Sequence, residues 1–222
     1  MKRQVILIVL FLTVGLFGLN AQTNEYRFTR INVNHGLSHN QIKTILKDRR
    51  GFIWIGTISG LNRYDGYNFR TFTNIPGDST SLITSDVNKL FEGPEGKLWI
   101  HTWSGINVYD PLTETFDRNT NRILSSLAIP EGMINGIKKD HKGNFWFLHD
   151  VEGLFRYSPA TRETVSLRND PNDTTTIATN RIASWCQDQR GNIWLLHANG
   201  ILEQLNAFTL EVEYRSYALN RR

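Results

Sequence analysis

The sequence predicts an all-β fold, a β-propeller with four four-stranded blades present and belonging to a larger, incomplete ring. Three observations carry this: a tryptophan-centred repeat occurs four times, its period is 45 to 48 residues, and each copy alternates short apolar runs with turn residues. Trp54, Trp99, Trp146 and Trp194 stand 45, 47 and 48 residues apart. A glycine lies three before each of them (Gly51, Gly96, Gly143 and Gly191), and another lies six or seven after. Asp48, Asp140 and Asp188 precede their tryptophans by six residues, and Glu92 precedes Trp99 by seven. Repeats of about 40–50 residues holding several short strands indicate propeller blades. Helical repeats of that length would place apolar residues three and four apart, whereas these runs are short and rich in Ile, Val, Phe, Trp and Tyr.

The first element in chain order is an export signal. Lys2 and Arg3 precede 15 mostly apolar residues from Val5 to Leu19, followed by Asn20 and Ala21. A basic start, a short apolar core and a small residue describe a secretory signal peptide over residues 1–21, while a spanning helix needs about 20 apolar residues. No cysteine follows the run, so lipid attachment is not expected. Loss of the segment leaves 201 residues and lowers the formal charge from +4 to +2. The remaining Lys and Arg form no cluster suited to a phosphate backbone, which excludes nucleic acid as a partner. The single cysteine, Cys186, excludes a disulfide framework, an iron–sulfur cluster and a cysteine-built zinc site. Beside Trp185 it reads as a buried strand thiol.

An N-terminal strand is expected at about 25–33. Blade one follows at about 37–74, blade two at 82–120, blade three at 132–169 and blade four at 177–217. In the first blade the strands are Ile42–Lys47, Phe52–Thr57, Leu61–Tyr64 and Phe69–Thr73. The first turn of each blade opens on an acidic residue and closes on glycine, which accepts a positive φ at low cost. The repeated tryptophans are expected between neighbouring blades, where a covered indole contributes a few kcal/mol; sugar stacking by all four is the lesser alternative. Blade four departs from the pattern at Glu203-Gln204, where the other blades carry Arg-Tyr or Val-Tyr.

Gly51-Phe-Ile-Trp54-Ile-Gly-Thr57, followed by Gly60-Leu-Asn-Arg-Tyr-Asp-Gly66, resembles a two-component regulator propeller repeat. His35-Gly-Leu-Ser-His-Asn-Gln-Ile42 resembles the opening of a first blade in that family, and the 76–82 and 171–177 segments resemble its inter-blade loops. The resemblance covers residues 26–217. It implies the exported, periplasmic ligand-sensing part of a hybrid two-component regulator, often linked to carbohydrate detection. It also implies as partners an oligosaccharide ligand, further blades, and membrane and kinase regions of a parent protein; a homodimer is a further possibility. No kinase, second apolar span or nucleotide-binding pattern is found in this sequence, so the chain is not expected to be an enzyme, and no cofactor or metal is expected. Because blade four already owns an outer strand, the N-terminal strand has no blade to complete, which reads as a cut from a larger ring with exposed, poorly soluble edges. A closed four-bladed ring is the alternative.

Residues that break a repeat are the best ligand candidates. Trp103 stands where blade one has Ile58, Asp150 and Glu152 lie in the longer turn of blade three, and Asn199 lies in the matching turn of blade four. An indole with carboxylates and amides nearby suits a sugar ring, which has an apolar face and hydroxyl edges. His149 and His197 occupy the places of Thr57 and Thr102. They are candidate ligand contacts, or metal ligands given a third partner, but the plainer expectation is that they satisfy backbone groups in the turns. A structural or protein-interaction propeller, and a secreted enzyme acting on polysaccharide, are the alternative functions.

Overall fold

A computed structural model of the chain describes residues 28–206 and 208–219. The expected signal segment, residues 1–21, lies outside these residues. The chain divides into two units at Ile31 and Asn32, and residues 28–31 carry no regular structure. The strand expected at 25–33 is not formed over its described part. Val33–His35 is instead a 3-10 turn capped by the Asn32 side chain, which accepts from the Asn34 N–H at 2.9 Å. The Val33 N–H donates to Asn40 Oδ1 at 3.1 Å. Local side-chain acceptors thus take the amides that a strand would offer to a ladder.

Among the described residues from Asn32 on, sixteen strands form four antiparallel sheets, each with its strands in sequence order. The first holds β1 (Ile42–Lys47), β2 (Ile53–Thr57), β3 (Gly60–Tyr64) and β4 (Phe69–Phe72). The second holds β5 (Val87–Glu92), β6 (Leu98–Thr102), β7 (Gly105–Asp110) and β8 (Thr115–Asp117). The third holds β9 (Ile134–Lys139), β10 (Phe145–His149), β11 (Gly153–Ser158) and β12 (Glu163–Leu167). The fourth holds β13 (Ile182–Gln187), β14 (Ile193–His197), β15 (Leu202–Leu205) and β16 (Val212–Ser216). One helix, α1 (Thr120–Ser126), lies between β8 and β9.

The core consists of three apolar clusters, one for each junction between consecutive sheets. Each junction seats the tryptophan of one sheet on an aromatic ring of the next. Trp54 meets Tyr109 at 5.1 Å between ring centroids, Trp99 meets Phe147 at 5.5 Å and Trp146 meets Trp185 at 5.3 Å. All three indoles that lead a junction are 1% exposed. Among the described residues no such cluster joins the fourth sheet to the first, and the sheets form the open array of an incomplete propeller. Trp194 is therefore only partly covered. Cys186 corrects the expectation of a buried thiol. It alternates with buried Trp185 along β13 and faces the uncovered side of the last sheet, where it is exposed.

The spacing of aspartate and tryptophan has a direct physical cause. Asp140 Oδ1 accepts the Lys142 and Asn144 N–H groups at 2.9 Å each, and its Oδ2 accepts the Trp146 indole N–H at 2.9 Å. Asp48 and Asp188 repeat this arrangement for Trp54 and Trp194. One carboxylate thus closes the turn and satisfies the buried donor of the indole. The second sheet does without it: Gly93 takes the aspartate's place, and a Cβ there would lie 2.3 Å from Trp99 Nε1. Glu92, one residue earlier, instead pairs with Arg49 of the first sheet.

Burial pushes the Asp140 carboxyl up, but the hydrogen bonds from Trp146, from the Asn144 side chain and from the Asn144 and Lys142 amides outweigh burial and hold it below its ordinary value of 3.8. A lowered carboxyl contributes stability that is present above that value and is lost as pH falls through the lower folded value. Acid titration of the urea midpoint should therefore show a loss below about pH 4 that is smaller in Asp140→Asn. An identical acid limb in the variant would remove Asp140 as its source.

Candidate functional site

The connections between second and third strands, and between consecutive sheets, gather on one side of the array. In the first three sheets the side chain ending the second strand bonds the turn beside it. Thr57 Oγ1 donates to the Gly60 carbonyl at 3.0 Å and accepts the Ser59 N–H at 3.1 Å, and Thr102 does the same for Gly105 and Ser104. In the third sheet His149 Nε2 donates to the Glu131 carbonyl at 3.1 Å, while its Nδ1 accepts the Val151 and Glu152 amides and lies 2.9 Å from Asp150 Oδ1. In the fourth, His197 Nε2 donates to Glu203 Oε2 at 2.6 Å. Both histidines are 1% exposed. Both rings lie inside the fold, His149 held by its own turn and by the Glu131 carbonyl, His197 by Glu203.

A second repeated position anchors the segment that enters each sheet. Asn62 Oδ1 accepts the Ser38 N–H at 2.9 Å, and Asn107 Oδ1 accepts the Ile83 N–H at 3.0 Å. The third sheet has Phe155 here, which cannot accept, and His149 holds the incoming segment through the Glu131 carbonyl instead. In the fourth sheet the anchor is Glu203, which accepts the Ala178 N–H at 3.1 Å. Strand pairing makes the equivalence explicit: Asn62 lies opposite Ile55, and Glu203 lies opposite Leu195. The turn of the fourth sheet is one residue longer than that of the first, so Glu203 replaces Asn62 rather than the Arg-Tyr pair.

Glu203 is fully buried and also accepts Arg215 Nε at 2.5 Å. Burial pushes its carboxyl up, but the hydrogen bonds from His197, the Ala178 amide and Arg215 outweigh this and hold it below its ordinary value. The Arg215 guanidinium also donates to the Thr176 carbonyl at 2.7 Å, fastening the inter-sheet loop. The triad is a structural clasp: a carboxylate with no exposed surface has no route to a ligand.

Among the other expected ligand residues, Trp103 is 72% exposed at the tip of the β6–β7 turn. Its neighbours Ser104 and Gly105 help to line a cleft of about 250 Å³, together with Arg118, Asn119, Asn121, Gly132 and Met133. Asp150 adjoins the lining residue Met133, its N–H donating to the Met133 carbonyl at 3.0 Å. Trp103 and Asp150 are not themselves among the lining residues and adjoin the cleft through Ser104 and Met133. Glu152 is drawn off to Arg168 at 3.1 Å, and Asn199 Oδ1 accepts the Ile201 N–H within its own turn at 3.2 Å. Neither lines the cleft. Arg118, Asn119 and Asn121 were not anticipated. They flank and begin α1, whose signal is present in the sequence: Asn119 caps the Arg122 N–H at 3.1 Å, and Ile123, Leu124 and Leu127 follow at helical spacing.

Residues 36–59 match the two component regulator propeller repeat. A stretch of 75 residues is 36% identical to Histidine kinase P4 of Formosa agariphila and covers 34% of this chain and 5% of that protein. The extracellular domain of a hybrid two component system from B. thetaiotaomicron superposes with a TM-score of 0.59 at 22% identity, over 84% of this chain and 26% of that one. An extracellular domain described as that of a one component system from the same organism gives 0.51 at 25% identity, over 81% of this chain and 24% of that one. The chain spans only a small part of the length of each of these relatives. Among the described residues no helix is long and apolar enough to cross a membrane. The chain accordingly carries a two component regulator propeller repeat, matched at residues 36–59, with its blade plan continued by the three later sheets.

Proposed function

We propose that this chain is a ligand-sensing segment of an exported, periplasmic two-component sensor and that it takes a glycan-derived ligand at the cleft beside Trp103. The observation that carries this is Trp103. The four tryptophans of the repeat lie in strands, whereas this one breaks the repeat and stands exposed beside a polar cleft. An exposed indole offers a flat apolar face to a sugar ring, and Ser104, Asn119 and Asn121 offer hydroxyl and amide groups to its edges. The role is binding rather than turnover, because the buried carboxylate and imidazoles serve the fold. The extracellular setting of the structural relatives and the basic, then apolar start of the chain support export.

Calorimetric titration of the chain with a panel of neutral oligosaccharides tests this. Binding by the parent chain should weaken at least tenfold in Trp103→Ala, a loss of about 1.4 kcal/mol, with an unchanged urea midpoint. Absence of heat with every sugar would overturn the glycan assignment, and release of shortened products would replace it with an enzymatic one.

A further inference from the structure

A second pocket lies away from Trp103, at the inner edge of the array, where the first strands of three consecutive sheets converge. Lys89 and Phe91 come from β5, Asn135 to Lys138 from β9, and Ala183 to Trp185 from β13, with Leu148 at the base. The volume is about 230 Å³. That is below the 300–1,000 Å³ of sites for drug-sized ligands and suits a single ring.

Three features mark it as more than a gap between strands. Every sheet carries a β-bulge at the second residue of its first strand: Lys43, Asn88, Asn135 and Ala183 are skipped in the pairing. Bulges re-aim side chains and recur beside functional sites, and here one supplies Asn135 to the pocket. The residue after the bulge is Thr44, Lys89 and Ser184 in the other sheets but Gly136 in the third. No backbone or packing demand explains that glycine. Its φ is not left-handed, and a Cβ would meet only Leu148 Cβ at 3.9 Å. A glycine within a strand, without such a demand, leaves room for an approaching group.

The third feature is charge. Lys43 is engaged by Asp86 at 2.5 Å and Asn88 at 2.9 Å, and Lys138 donates to the Trp185 carbonyl. Lys89 has no acidic partner among the described residues, and no Asp or Glu lines the pocket. A cation without a counter-ion beside buried Leu148 and Trp185 fits a ligand with an apolar face and one anionic group.

We infer that this pocket binds a monosaccharide-sized sugar bearing one anionic oxygen group, a carboxylate or a sulfate ester, with Lys89 facing the anion and Asn135 and Ser184 the hydroxyls. From the glycan assignment at Trp103 it takes only that the ligand is a sugar, and the two sites fail separately.

The test is titration of the full chain, followed by NMR or calorimetry, with glucuronate, glucose 6-sulfate and glucose. Glucuronate or the sulfate should bind and glucose should bind at least tenfold more weakly; the stronger of the two anions identifies the group. Lys89→Gln should lower anion affinity at least tenfold, and Gly136→Val, which fills the space with a side chain favoured in strands, should abolish it. Lys89 is exposed, so Lys89→Gln keeps the parent urea midpoint and remains informative if Gly136→Val folds poorly. Trp103→Ala should bind glucuronate as the parent does. Equal binding of glucose and glucuronate, undiminished binding by Lys89→Gln, or no binding of either anion would overturn the assignment and leave the Trp103 site untouched.

Discussion

Replacing Glu203 by leucine should destabilise the chain by about 3–5 kcal/mol, the cost of breaking a buried ion pair from one side. The Ala178 amide, His197 Nε2 and Arg215 all converge on this carboxylate, and it has no exposed surface. Leucine would leave the buried His197 Nε2 without an acceptor and would strip the Ala178 amide and Arg215 Nε of theirs, and an unsatisfied buried donor carries its full desolvation penalty. The urea midpoint should fall at an unchanged m value, which identifies a loss of stability rather than a change in the unfolded chain. Glu203→Asn restores the side chain that the first two sheets use and keeps an acceptor for Ala178, but it strands His197. Adding His197→Thr to Glu203→Asn should recover part of the loss, because the first two sheets carry threonine and asparagine at these two positions, each satisfied by the turn or the incoming segment. Simple additivity of the two changes would show that the residues do not act as a unit. The clasp should also weaken in acid. A lowered carboxyl contributes stability above its ordinary value of 4.5, and that contribution disappears as pH falls through the lower folded value.

The strands and turns of this fold were legible because their causes are local. Alternation along Ile42–Lys47, an acidic residue opening a turn and a glycine closing it each depend on a few neighbouring residues, and the structure forms β1 over those same positions. What the sequence concealed depends on a partner. The four bulges exist only relative to the second strand, so nothing in Asn135 or Gly136 alone distinguishes a skipped residue from a paired one. The glycine six after Trp194 matched the spacing of Gly60 and disguised the longer turn that brings Glu203 opposite Leu195. For Cys186 alternation correctly separates its face from that of Trp185, but whether that face is covered depends on a neighbouring sheet. At the candidate site, Trp103 was legible as a break in the repeat. The polar residues of the cleft beside it were not, because α1 lies between blades, where no repeated position marks it.

Trp146 and Trp194 hold the same place in successive sheets, and their truncation should give very different results. Trp146→Ala should cost about 3–5 kcal/mol, whereas Trp194→Ala should cost about 1 kcal/mol. The hydrogen bond does not create this difference, since both indoles donate to the aspartate six residues earlier, at 2.9 and 3.2 Å. The covering surface does. Trp146 lies against Trp185 of the next sheet and has 1% of its surface exposed. The aromatic neighbour of Trp194 is Tyr214 of its own sheet, at 6.0 Å, and the indole lines an open depression with Arg190 and Gln204. At about 25 cal/mol per Å² of apolar surface, an indole that stays partly in contact with water withdraws less area on folding than one fully covered. Removing it also leaves no enclosed cavity, the second part of the cost at Trp146. Chemical denaturation of the two alanine variants, each against the parent chain, measures the difference directly. If both lose the same amount, Trp194 is covered in solution by a surface that supplies the counterpart of Trp185. That loss should then vary with protein concentration if the surface belongs to a second copy of this chain.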